Sequence, residues 1–136
     1  MRTPHQVNPV DSCPCGANAR YAACCGRFLD EGLVAETAEA LMRSRYTAYV
    51  RGRADYLLQT WHPATRPAAL DLSSEPTRWL GLQILRAVAG GSEDAQGIVE
   101  FVARYKVGGK AYRLREVSRF VREAGRWFYQ DAENGG

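Results

Sequence analysis

The only four cysteines of the chain, Cys13, Cys15, Cys24 and Cys25, fall within thirteen consecutive residues. Thiolates are soft ligands, and gathering four around one ion requires this kind of crowding. The order is Cys-Pro-Cys, eight residues from Gly16 to Ala23, then Cys-Cys-Gly. Four thiolates complete a tetrahedral shell and leave no position for water. The expected cofactor is therefore a structural Zn2+ held by Cys13, Cys15, Cys24 and Cys25, with no catalysis at the metal. Pro14 stiffens the first pair, and Gly16 and Gly26 permit turns that aim backbone amides at sulfur. The adjacent pair Cys24 and Cys25 departs from the usual spacing, so a loop of reduced thiols is the alternative reading.

A second group of chemically capable residues lies further along: Arg45, Trp61, His62, Trp79, Glu116 and Ser118. On a helix over 36–51, at about 100° per residue, Ala38, Leu41, Met42, Tyr46 and Tyr49 share one arc, with Arg45 near its centre. Glu116 and Ser118 alternate with Leu114 and Phe120, so on a strand all four point the same way. An arginine on a core face needs a partner, and the expectation is a buried Arg45–Glu116 ion pair across the helix–sheet interface. The functional alternative has Arg45, Glu116 and Ser118 lining a cavity that binds a small anionic ligand or does acid–base work. Trp61 and Trp79 read as core aromatics that could also line it. His62 and Glu116 are the candidate catalytic bases, although His62, between Trp61 and Pro63 at a helix exit, reads equally as a turn residue.

Several elements must position these groups. Thr37 caps the 36–51 helix and Gly52 stops it. Asp55 caps a shorter helix with Ala54, Leu57, Leu58 and Trp61 on one face, ending at 60–62 because Pro63 restricts His62. A Pro-rich connection spans 63–76. The hydrophobic period then changes to two, giving strands over 79–88, 97–107, 111–122 and 127–130, with Gly108 and Gly109 as a tight turn. The expected fold is α+β: a cysteine knuckle over 11–28, then a domain over 34–131 of helices on a curved antiparallel sheet, with tails at 1–10 and 132–136. The knuckle has little apolar sequence, so it is expected to be separable: Cys24→Ser should release metal and leave the second domain folded.

A length of 136 residues, 46% of them hydrophobic and 24% charged, describes one ordinary folded domain with a small module attached. Sixteen of the eighteen cations are Arg, and the formal charge is +3. Four thiolates on one Zn2+ would bring this to about +1, too little to argue for nucleic acid from charge. There is no apolar run of membrane-spanning length and no signal-peptide pattern, so no membrane partner and a cytoplasmic location are expected.

Cys13-Pro14-Cys15-Gly16, Tyr21 and Cys24-Cys25-Gly26 resemble the SEC-C motif, the zinc knuckle at the carboxyl end of the SecA translocation motor and on other bacterial proteins. Where that motif usually has Ser-Gly, this chain has Ala17-Asn18, and Asn tolerates a left-handed turn. A wider resemblance rests on Ala40-Leu41-Met42-Arg43-Ser44-Arg45-Tyr46, Thr60-Trp61-His62-Pro63, Val99-Glu100-Phe101 and Ser118-Arg119-Phe120. These look like the YchJ family, in which an SEC-C knuckle precedes a cone-shaped domain of the nuclear transport factor 2-like (NTF2-like) superfamily. Where the family typically shows His-Glu-Arg-Ser, this chain has Arg115-Glu116-Val117-Ser118.

The resemblance implies a non-catalytic zinc protein whose knuckle docks a protein partner and whose cone holds a small-ligand pocket. One rival is a dehydratase- or isomerase-like enzyme with His62 or Glu116 as base. The other is a nucleic-acid or ribosome binder using the alternating Arg and Val face of the third strand.

Overall fold

A computed structural model describes residues 12–72 and 77–132. The expected tail at 1–10, part of the 63–76 connection and the last four residues lie outside the described residues. The knuckle contains a 3-10 turn, Tyr21–Ala23, and a short helix, α1 (Gly26–Leu29). Helices α2 (Ala38–Arg51) and α3 (Ala54–Gln59) follow, then strands β1 (Arg78–Ala89), β2 (Gln96–Val107), β3 (Lys110–Glu123) and β4 (Arg126–Ala132). The strands pair antiparallel in sequence order to form one sheet. Helices packed on an antiparallel meander make this an α+β fold.

Helix α2 begins at Ala38 because Thr37 is extended and its hydroxyl accepts from the Ala40 amide at 3.0 Å. It ends at Gly52, whose left-handed φ of 71° is a conformation that glycine adopts freely. Ala38, Leu41, Met42, Arg45 and Tyr46 are buried, as the periodicity requires, but Ser44, Thr47 and Ala48 on other sides of the helix are buried too. The sheet covers one flank of α2, and the knuckle and α3 cover the rest. Asp55 does not cap α3: Arg53 precedes the helix without a side-chain cap, and Asp55, in the first turn, takes a 3.2 Å hydrogen bond from the Arg53 guanidinium. Tyr56, rather than Leu58, joins Leu57 in the core.

In the sheet, Val99, Phe101 and Ala103 of β2 face the helices, and their ladder partners Ser118, Glu116 and Leu114 of β3 share that face. Strand β4 runs past its expected end because Asp131 pairs with Arg119 in the ladder and accepts two hydrogen bonds from it, at 2.6 and 2.7 Å. Residues 60–62 run beside β4, with the Tyr129 amide donating to Thr60 O and the His62 amide to Tyr129 O, both at 2.8 Å. The exit of α3 is thereby fastened to the sheet edge.

The knuckle shares the domain's core. Its four cysteines with Tyr21, Phe28 and Leu29 form one continuous buried cluster with α2, α3 and the inner sheet face. Polar bonds reinforce the junction: Arg43 Nη1 donates to Cys15 O at 2.8 Å, and Arg53 Nη2 to Leu29 O at 3.1 Å. The Arg51 guanidinium lies 4.9 Å from the Tyr21 ring centre and donates to its hydroxyl, which in turn donates to Asp30. No helix among the described residues is long and apolar enough to cross a membrane.

Burial also makes the fold sensitive to alkali. Desolvation is the first cause pushing Tyr21, Tyr46 and Tyr129 up to about 12, against about 10 for a free phenol. The folded state favours the neutral phenol, so this stability is present below about pH 10 and is lost as pH rises through about 12. Unfolding and tyrosinate absorbance are expected to rise together across that window. A fold that stays intact by circular dichroism after all seven tyrosines have ionised would contradict this.

Candidate functional site

The sulfurs of Cys13, Cys15, Cys24 and Cys25 all lie within 4.8 Å of one another, and all four residues are buried and free of disulfides. Cys15 and Cys24 are 3.6 Å apart, sulfur to sulfur. A tetrahedron with metal–sulfur bonds of about 2.3 Å sets a sulfur–sulfur distance of roughly 3.8 Å, so the cage has the dimensions for one ion.

Gly16 and Asn18 both take left-handed φ angles, 80° and 58°, which turn the loop back on itself. Gly26 serves differently: a Cβ there would lie 2.9 Å from Tyr21 O, so its role is to let the buried Tyr21 pack close. Thiol hydrogen bonds from Cys15 and Cys25, aided by their backbone amides, hold Cys13 far below the ordinary thiol range. The same bonds push Cys15 up to about 12 and raise Cys25 further. Four thiols this close cannot all ionise without a cation, and a bound metal ion would take the place of the missing protons. Cys13 Sγ also lies 3.8 Å from Thr47 Oγ1, joining the cage to the middle of α2.

The opposite flank of α2 lines a cavity of about 240 Å3 beneath the sheet. Arg45, Trp61, Trp79, Glu116 and Ser118 all border it, together with Tyr49 and Tyr129. Arg45 is 3% exposed, yet its side-chain bonds go elsewhere than Glu116. Its Nη1 donates to Leu57 O at 2.8 Å and to Thr60 Oγ1 at 2.6 Å, and its guanidinium sits over the rings of Tyr129 (4.7 Å) and Trp61 (5.2 Å). Glu116 accepts from Ser118 Oγ at 2.8 Å. The expected ion pair is thus replaced by a cation held by a helix-end carbonyl and two aromatic faces, across a gap from the carboxylate.

That arrangement sets what Arg45 contributes to stability. Desolvation is the main cause lowering it to about 10, which corresponds to roughly 3 kcal/mol against keeping the cation in the fold. The hydrogen bonds and ring contacts offset much of this. Arg45→Met is therefore expected to change unfolding free energy by less than about 1.5 kcal/mol, and its coupling to Glu116→Gln to stay below about 1 kcal/mol. Urea denaturation of both singles and the double measures this; a coupling of about 3 kcal/mol or more would restore the direct pair.

His62 lies outside the cavity wall. Its Nε2 is 3.0 Å from a Glu123 oxygen, its Nδ1 accepts from the Ala64 amide at 3.1 Å, and its ring meets Phe128 edge-on. Both ring nitrogens are engaged in holding the turn after α3, which leaves Glu116 as the base candidate within the cavity. On the outer sheet face, Glu100 is gripped by Arg86 at 2.7 Å and by Arg115 at 2.9 and 2.6 Å, and these cations, Arg86 first, hold its carboxyl below the usual range. With Asp131 on Arg119 as well, that face is not wholly basic. Sequence reasoning missed Glu100 as a functional group, because its partners Arg86 and Arg115 come from the two neighbouring strands. It also missed Thr60 and Tyr129 as partners of Arg45.

Fold and site together define the class: a cone-shaped NTF2-like domain led by a four-cysteine knuckle. The family profile described as "YchJ, middle NTF2-like domain" matches residues 37–132. A UPF0225 protein of Chromobacterium violaceum is 58% identical over 121 residues, covering 87% of this chain and 89% of its own length. Another, from Xanthomonas campestris, is 55% identical over 126 residues, covering 91% and 95%. The chain belongs to the YchJ (UPF0225) family. Two solved structures share its fold. The solution structure of a SEC-C motif containing protein from Rhodopseudomonas palustris has TM-score 0.79 and 34% identity, covering 91% of this chain and 98% of its own. The crystal structure of a sec-c motif containing protein from Psychrobacter arcticus has TM-score 0.72 and 25% identity, covering 94% and 86%.

Proposed function

We propose that the protein is a zinc-stabilised, non-catalytic binding protein. The knuckle holds Zn2+ as a structural ion and docks a protein partner, and the cavity takes a small anionic ligand. The observation that carries the reading is Arg45: a cation 3% exposed, with no carboxylate partner among the described residues, on the wall of a cavity. A closed four-thiolate set supports a structural role for the metal, since it keeps no position for substrate. The docking role rests on likeness to SEC-C proteins, and exposed Leu33 and Val34 just beyond α1 give such a partner apolar surface beside the knuckle.

Elemental analysis of protein purified without chelator is expected to give one zinc per chain. Benzoate at millimolar concentration is expected to raise the melting temperature of the wild type but not of Arg45→Met. Metal content near zero with all four thiols titratable would overturn the first part. An equal benzoate response in both proteins would overturn the second.

A further inference from the structure

Opposite charges usually meet when they share a cavity, and here they do not. Arg45 uses only Nη1 on the protein, and its Nε and Nη2 have no acceptor among the described residues. Glu116 has one oxygen on Ser118 Oγ, and its other oxygen has no donor among the described residues. The two groups line one cavity, one on α2 and the other on β3, each bonded to other residues. Trp61, beside Arg45 in the same wall, has a buried Nε1–H that also finds no acceptor. The Arg45 end is thus rich in donors, and the Glu116 side offers an acceptor.

The rest of the wall is apolar or aromatic. Trp79 packs edge-on against Tyr46 with ring centres 5.7 Å apart, and Phe101 and Leu114 add to the lining. Toward Leu114, which is 38% exposed, the cavity approaches solvent. At about 240 Å3 it is smaller than the roughly 300–1,000 Å3 of drug-sized clefts, so the occupant is a small molecule.

Resting on the anion-binding reading above, we infer that the cavity recognises a small amphoteric carboxylate, one acid group with a neighbouring ammonium or hydroxyl donor on an apolar, aromatic-compatible body. The acid group sits on the Arg45 fork and the donor on Glu116. A simple acid would fill only half of this arrangement and leave the second Glu116 oxygen without a ligand donor, on a side chain that is only half-buried.

The test uses four probes on the full zinc-loaded chain, by calorimetric titration or by indole signals of Trp61 and Trp79. They are L-phenylalanine, 3-phenyllactate, 3-phenylpropionate (acid only) and 2-phenylethylamine (amine only). The first two are expected to bind about tenfold or more tightly than either of the last two. Glu116→Gln is expected to weaken L-phenylalanine and leave 3-phenylpropionate nearly unchanged, a contrast that a merely damaged fold would not produce. If 3-phenylpropionate binds as tightly as L-phenylalanine, the amphoteric inference falls and the anion-binding reading stands. If none of the acids binds, both fall.

Discussion

Removing the metal, or replacing Cys25 with serine, is expected to lower the melting temperature of the whole chain by roughly 10 °C or more in a single transition. The knuckle is built into the core: Cys15 and Cys25 are 0% and 1% exposed, and they belong to the same buried cluster as Leu41, Leu57 and Phe120. A structural four-thiolate site contributes its binding free energy to folding, because the cage does not exist in the unfolded chain. Without the ion, four converging thiols lose the charge that holds them together, and the cage springs open beneath α2. Arg43 then loses the fixed Cys15 carbonyl, and Thr47 its contact with Cys13. A loss of about 3 kcal/mol, at roughly 2–8 °C per kcal/mol, gives the expected shift. Circular dichroism with and without chelator measures it, beside Cys24→Ser and Cys25→Ser. An unmoved main transition, with only a small early step for the knuckle, would instead support the separable module that the sparse apolar content of residues 11–28 implies.

That divergence shows which features were legible in the sequence. The four cysteines announced their site because metal ligation depends on residue type and local spacing. The period of α2 placed Arg45 inside, and the switch to period two located all four strands. What remained hidden depends on closure in three dimensions. The main anchor of Arg45 is the carbonyl of Leu57, and a backbone acceptor has no signature in residue type. The second buried flank of α2 did leave a trace, because Ser44, Thr47 and Ala48 are all small. Small residues away from an apolar arc permit close packing by another element, and here that element is the knuckle together with α3. Asp131 falls just past the expected last strand, 127–130, because nothing local ties it into a strand; its partner, Arg119, lies across the ladder on β3.

Gly97→Ala is expected to cost about 3 kcal/mol or more, because its added methyl would make the shortest backbone contact of any described glycine. Gly97 is near the start of β2 and faces Gly90, the first residue of the β1–β2 loop. A Cβ there would stand 2.5 Å from Gly90 Cα, 3.0 Å from Gly90 N and 3.1 Å from the Ala38 Cβ. The first two are backbone atoms and cannot swing aside. The same loop seats the helix: Gly90 N donates to Gln96 O at 3.1 Å, and Gly90 O accepts from the Ala38 amide, the first of α2, at 2.9 Å. An added methyl must push the hairpin away from α2, and overpacking of this kind typically costs about 1–3 kcal/mol even where side chains can give. The damage should reach function, because α2 carries Arg45 toward the cavity and Arg43 and Thr47 toward the knuckle. Gly108→Ala is the control: its φ is 59° and nothing lies within 4 Å of its added Cβ, so only the left-handed strain of about 1–2 kcal/mol applies. Urea denaturation of the pair should separate them by about 2 kcal/mol, with zinc retention and probe binding impaired only in Gly97→Ala. Equal stability losses would mean that the seat of α2 tolerates displacement, and that both sites depend less on the helix position than its contacts imply.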